Sequence, residues 1–357
     1  MKKSYIIALV VVILILVVYF LGNKKDDNVV FGVIAGTTGQ YAAAGEGYVQ
    51  GFNLAIEEWN ESHTSKLSAI IEDDGFDAQK GLSAYKKLKE LDGVDAYAIL
   101  SSFTIDAVYD QLHKEGRPVA LGFEQTRSAE DDNIFQVLPA AEPVETALGQ
   151  KVKDLGYKKP IAAVSNNTSV YQNFYRGFKN GFGSDVPKFE MGGDIGIIRS
   201  QALAIIDSKP DVVAFFMAPQ DGALLVQEIV KLTSTSARPY FVFDQSIQSG
   251  IDNYEKIFGK NISVLNGSLV AMSKNDFTED FANAFRKKYN IDPVFGSDMG
   301  YNSFLLLANT YDSNSSKWIT NMKKTKFTGS DGELSFDAMG LRVPNIFFGK
   351  LENGKIN

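Results

Sequence analysis

Short apolar runs alternate with amphipathic stretches along most of the chain. Val29–Ala35 places several apolar residues in a row, the pattern of a strand covered on both sheet faces. Val49, Phe52, Ile56 and Trp59 follow at helical spacing and predict a helix over Gly45–Asn60. The alternation continues with a strand at Leu67–Glu72, a helix at Ala78–Leu91 and a strand at Val94–Ser101. A helix at Ile105–Glu115, with Ile105, Val108 and Leu112 on one face, leads to a strand at Pro118–Gly122. This order argues for a parallel sheet with helices on both faces.

A second series begins after Pro139. Val144, Leu148, Val152 and Leu155 mark a helix, Ile161–Ser165 a strand, and Phe174, Phe178 and Phe182 the next helix. Val212–Met217 reads as a strand, Leu225, Ile229 and Leu232 as a helix face, and Tyr240–Phe243 as a strand. Phe277–Tyr289 and Met299–Tyr311 are helical again, and Gly332–Lys355 reads as short strands between turns. The pattern therefore predicts two α/β units. At roughly 150 residues per domain, a length of 357 residues agrees.

The N-terminus breaks the pattern. Lys2 and Lys3 precede an unbroken apolar run from Tyr5 to Leu21, about 26 Å of helix and near the lower limit for crossing a bilayer. It has no Ala-x-Ala cleavage pattern, which favours an uncleaved signal anchor over a cleaved signal peptide. Lys24 and Lys25 nearly balance the charge across the run, and the free α-amino group tips orientation towards N-terminus inside. Residues 1–22 are thus expected as a transmembrane anchor and 23–28 as a tether. The rest would lie outside the cytoplasm.

Composition removes several functions. With 43 acidic against 36 basic side chains, the net charge is −7, which argues against nucleic acid as a partner. Cysteine is absent, excluding disulfides, thiolate metal sites and a cysteine nucleophile. The two histidines, His63 and His113, cannot build a multi-histidine metal site, and both read as surface residues. Gly36 to Gly39 follows a strand, but no Gly-x-Gly-x-x-Gly, phosphate loop or Gly-x-Ser-x-Gly elbow appears. Spatially paired carboxylates, as in glycosidases, are invisible to this reading.

Ordered fragments carry a resemblance. Val30–Gly39 (VFGVIAGTTG), Gly45-Glu46, and Gly51 with Ala55, Glu57 and Asn60 come first. Asp73-Asp74, Ser101-Ser102, Ile134–Pro139, Lys209–Val213 and the run Phe327–Asp337 follow. Together they resemble type I periplasmic solute-binding proteins, specifically the leucine/isoleucine/valine-binding branch of ABC-transporter receptors, over nearly all of Val29–Asn357. The resemblance implies two Rossmann-like lobes with parallel-sheet cores, joined by three hinge crossovers. Lobe 1 would comprise 29–139 plus 272–328, and lobe 2 140–271 plus 329–357. It implies a ligand in the cleft between lobes, where the rule for open parallel sheets also puts one.

Carried over residue by residue, the likeness makes Ser102 the hydroxyl for a ligand carboxylate, at a helix N-terminus that suits an anion. The same serine equally reads as a helix cap. Gln125 takes the place of a hydroxyl residue, with Thr126 beside it. Phe123 and Glu124 depart from the usual small residues, narrowing the site and adding an acid. Asp244, followed by Gln245, would pair a ligand ammonium. Tyr171, Phe103, Tyr41 and Gln220 would border the cleft. The expected function is an extracytoplasmic receptor, monomeric and without a cofactor. It would close on a small polar solute, an amino acid or amide, and deliver it to an ABC permease without covalent chemistry. A membrane-tethered sensor or co-receptor of the same fold is the alternative, and a nucleotide-dependent or hydrolytic enzyme a weaker one.

Overall fold

A computed structural model of the chain describes residues 29–39, 42–124, 133–166, 169–191, 195–273 and 277–357. The apolar N-terminal run, Tyr41, Gln125 and Thr126 lie outside the described residues. The first series runs β1 (Val29–Ile34), α1 (Ala42–Ser62), β2 (Leu67–Glu72), α2 (Ala78–Lys87), β3 (Ala96–Ile99), α3 (Ser102–Glu115), β4 (Val119–Leu121) and β5 (Ile134–Pro139). The second runs α4 (Ala141–Asp154), β6 (Pro160–Ser165), α5 (Ser169–Phe182), β7 (Lys188–Met191), α6 (Ile195–Asp207), β8 (Val212–Phe216), α7 (Pro219–Leu232), β9 (Tyr240–Phe243), α8 (Ser246–Phe258) and β10 (Leu269–Ser273). Then come α9 (Glu279–Tyr289), α10 (Ser297–Asn309), α11 (Ser315–Lys324), β11 (Lys326–Gly329), β12 (Gly332–Ser335), β13 (Leu341–Arg342), β14 (Ile346–Glu352) and β15 (Lys355–Ile356).

Two sheets divide these strands. The first has the order β13-β5-β4-β3-β1-β2 and is parallel throughout. The second has the order β15-β14-β10-β9-β8-β6-β7, parallel from β10 to β7 and closed by two antiparallel strands. Strand order reverses between β1 and β3 in one sheet and between β6 and β8 in the other. These are the topological switch points whose carboxyl ends hold ligands in open α/β sheets.

Each sheet is covered on both faces, which is why central strands such as β6 and β8 are buried at every position. Phe31 of β1 meets Phe52 of α1 and Phe304 of α10 edge-to-face, at centroid distances of 6.1 and 5.7 Å. The late helices α10 and α11 therefore complete the first core, with Trp318 and Met322 in it. The opposite face of that sheet carries α2 and α3. The second sheet lies between one core of α6, α7 and α8 and another of α4 and α5. Because β13 joins the first sheet and β14 the second, the chain returns to the second sheet between 342 and 346. The sequence had suggested a return at 329.

Helices α4 and α5 approach closely through glycines. A Cβ on Gly181 would sit 1.8 Å from the Thr146 carbonyl oxygen, and one on Gly149 2.1 Å from that of Phe178. The obstacle is backbone, so it cannot rotate away. Gly181→Ala is expected to cost up to about 2 kcal/mol in urea unfolding, since overpacking of about 1–3 kcal/mol is set against a helix-propensity gain of roughly 1 kcal/mol. A gain in stability would contradict this packing. No helix among the described residues is long and apolar enough to cross a membrane.

Candidate functional site

The first sheet contributes the start of α3. Its N-cap is Ser101, in extended backbone conformation and without a side-chain capping bond. Ser101 is buried, and its Oγ has no hydrogen-bond partner. Ser102, the expected carboxylate ligand, instead donates its hydroxyl to the Glu124 carbonyl oxygen at 2.5 Å. That bond ties the β4 loop to α3. One position earlier, Ser101 supplies the uncommitted hydroxyl beside the positive end of the helix. Thr104 Oγ1 donates to Asp74 at 2.5 Å, pinning the first turn of α3 to the loop after β2. Asp73 accepts from the Thr37 N–H at 2.8 Å and from the Thr38 hydroxyl at 2.6 Å, holding the Gly36–Gly39 loop beside it.

Aromatic side chains edge this face. Phe103, in the first turn of α3, is 52% exposed, and Phe295, just before α10, is 55% exposed. Phe123 packs edge-to-face on Phe295 at 6.3 Å. Sequence reading found Phe103 and Phe123 but missed Phe295, which lies far along the chain and gains its place through α10.

Glu124 is not a solvated loop acid. It is 5% exposed. Its Oε2 accepts from Gln136 Nε2 at 3.2 Å, and the Ala141 N–H at the start of α4 also donates to its carboxylate. Burial dominates these contacts and pushes the carboxyl up to about 8. One helical turn beyond Ala141, on the buried face of α4, stands Glu145. It is fully buried, and neither carboxylate oxygen has a partner. Burial raises it well above the usual carboxylate range, and Asp244 and Glu124 add to the rise.

The second sheet contributes Asp244 at the end of β9. Asp244 is 1% exposed. One oxygen accepts from the Ser246 N–H at 2.6 Å, while Oδ2 has no partner. Burial pushes this group up to about 7. A narrow crevice beside it is lined by Met217, Pro219, Ser246 and the buried Tyr254. Gln245 turns to structural work, its side-chain oxygen accepting from the Ser273 N–H at 3.4 Å. Tyr171 is half-buried and packs edge-to-face on Phe174 at 5.8 Å. Gln220, near the start of α7, is exposed.

The fold thus brings Glu145 within electrostatic reach of both Glu124 and Asp244, and leaves Ser101 as a second buried, unpartnered group. Glu145 left a trace in sequence: it interrupts the apolar stripe formed by Ala141, Leu148 and Val152. Tyr254 left none, since an aromatic on a helix face usually packs. His63 stacks on Trp59 at 3.7 Å and His113 lies near Tyr109, both exposed, as expected of surface histidines. Among the described residues no group of three His, Cys, Asp or Glu side chains could hold a metal ion.

Residues 28–354 match the sequence profile of the periplasmic binding protein family. The chain belongs to that family. No match is found among curated protein sequences. Among solved structures, the leucine-binding protein LivK of Thermotoga maritima is 17% identical, with TM-score 0.70 over 92% of this chain and 97% of that one. The branched-chain amino acid substrate-binding protein LivJ of Streptococcus pneumoniae, in complex with isoleucine, is 18% identical at TM-score 0.70 over 92% and 97%. An ABC-transporter solute-binding protein of R. palustris, in complex with benzoate, is 17% identical at TM-score 0.68 over 92% and 95%. At such identities the neighbours establish the fold. The chain accordingly has the type I periplasmic-binding-protein fold.

Proposed function

We propose that the protein is the extracytoplasmic receptor of an ABC permease, closing two hinged lobes around a small polar solute of the amino-acid or amide class. The observation carrying this reading is the set of buried, unpartnered acceptors and hydroxyl at the sheet ends: Ser101 Oγ, Asp244 Oδ2 and both oxygens of Glu145. Buried polar groups are ordinarily paired, so orphaned groups after β3, after β9 and on the buried face of α4 suit a ligand that supplies the missing partners. The start of α3 with Ser101 would receive a carbonyl or carboxylate, and Asp244 an ammonium. Phe103, Phe123, Phe295 and Tyr171 would supply the apolar walls such sites generally have.

Sheet membership supports lobes exchanging chain near Pro139–Ala140, after Ser273 and between 342 and 346. The run Tyr5–Leu21 would tether the receptor, which sequencing the N-terminus of the mature protein tests. Loss of about the first 22 residues would mean a free, processed form. For ligand capture, the full chain is expected to melt higher in the presence of its solute. The gain is about 2.7 kcal/mol at a hundredfold excess over Kd, with a fall in radius of gyration by solution scattering. A solute recovered chemically altered, or binding without closure, would sink the reading.

A further inference from the structure

We propose that the solute is a net-cationic organic molecule of the diamino or guanidino class, with Glu145, Asp244 and Glu124 receiving its positive groups. This rests on the receptor reading above and specifies its ligand. A plain α-amino acid brings one ammonium balanced by one carboxylate. Three buried acids exceed what that single ammonium could satisfy.

The geometry makes the three a unit. The Glu124 carboxylate accepts from the first N–H of α4, and Glu145 sits one turn along the buried face of the same helix. Helix α4 packs over β10, whose neighbour β9 is followed directly by Asp244. Glu145 accordingly interacts with both Asp244 and Glu124. The exposures are 0% for Glu145, 1% for Asp244 and 5% for Glu124. Glu145 has two orphaned oxygens and Asp244 one.

Among the described residues no basic side chain answers them. Arg176 of α5 is spent on Glu142, with Nη2 donating to Oε2 at 2.7 Å. Among the described residues, the other titratable groups that act on the cluster are acidic or phenolic: Glu142, Tyr171 and Tyr254. Strand β10 carries none. Charge buried without a partner is costly, so the empty cluster keeps protons, in agreement with the raised carboxyls of Glu124 and Asp244. An organic cation would displace them. A metal ion is a poorer fit, because the acids do not converge as a metal-ligating group.

The test compares charge at constant shape. Calorimetric titration of the full chain at pH 7 would use arginine against citrulline and lysine against norleucine, with agmatine and putrescine added. The cationic member of at least one pair is expected to bind tenfold or more tighter than its neutral isostere. Repeating the titration in buffers of different ionisation enthalpy should report net proton release on binding. Glu145→Gln, which keeps shape, should weaken the cation at least tenfold and abolish part of that release, while its own melting temperature confirms folding. Equal binding of citrulline and arginine, and of norleucine and lysine, would overturn the inference and leave the receptor reading standing. Binding of none of these probes would overturn it as well, and a screen of neutral and acidic solutes would then judge the receptor reading separately.

Discussion

Arg342→Met is expected to destabilise the protein by about 3–5 kcal/mol, the cost of breaking a buried ion pair from one side. Arg342 lies on β13 and is almost wholly buried, as is its partner Asp331 in the turn between β11 and β12. Its Nη1 donates to Asp331 at 2.8 Å and to the Val137 carbonyl at 3.2 Å, and Nη2 donates to the Glu333 carbonyl at 3.3 Å. Asn302 of α10 donates to the other Asp331 oxygen at 2.8 Å and accepts from the Ser330 N–H at 2.8 Å. One cation thus fastens the β11–β12 hairpin, α10 and β5 just before the chain returns to the second sheet.

Methionine fills much of the space but leaves Asp331 without a counter-charge. Asp298 lies close by, pushed up to about 7 by burial first and then by Asp331. Removing the guanidinium would raise it further. Urea unfolding at pH 7 measures the loss, and Asp331→Asn in the same chain should recover part of it, because the stranded charge is then gone. A single-variant loss below about 1 kcal/mol would mean that the pair is effectively solvated.

The ligand-free protein is expected to be more stable at pH 5 than at pH 8. Asp244 and Asp298 are raised to about 7, Glu124 to about 8, and Glu145 well above its usual range. In the unfolded chain these acids titrate near 4. Between about pH 4 and 8 the native state therefore holds more protons than the unfolded state, so unfolding free energy falls as pH rises. Groups shifted by several units lose on the order of 4 kcal/mol together after allowance for solvent relaxation, or roughly 5 °C in Tm for a chain of this size. Differential scanning calorimetry across the range reads it directly. A flat Tm would show that the acids are hydrated or paired. Asp298→Asn should remove the share belonging to the Arg342 network, while Glu145→Gln removes the share belonging to the cleft.

Most element positions were legible before the fold was seen. The strand expected at Leu67–Glu72 has those bounds, and the helix expected over Gly45–Asn60 is Ala42–Ser62. Parallel strands buried on both faces leave a run of apolar residues that needs no tertiary information to read. Where the pattern failed, chemistry interfered. β5 carries Gln136, a buried amide bound to Glu124 and to the Leu138 carbonyl, and its interrupted apolar run predicted no strand. Leu155, placed on a helix face by spacing, is exposed at the C-cap of α4.

The candidate site was legible only as far as local position could take it. A Ser-Ser pair after a buried strand marks a helix start, but which hydroxyl remains free depended on the Glu124 carbonyl, 22 residues away. Asp244 follows a strand in sequence as in space, so its place at the sheet end was legible. Glu145 sits inside a helix whose neighbours are apolar, and nothing local distinguishes a misplaced surface acid from one sealed beneath another helix.

Alternating apolar runs and charge composition thus determined, from the chain alone, two α/β units, the strand ends where a solute would sit, and the absence of thiol or multi-histidine chemistry. Tertiary structure decided which side chains lost their water and which found partners. Desolvation and pairing join residues distant in sequence: Glu124 with Glu145 and Asp244, and Arg342 with Asp331 and Asn302. Periodicity reports only which way a side chain faces, not what it meets there.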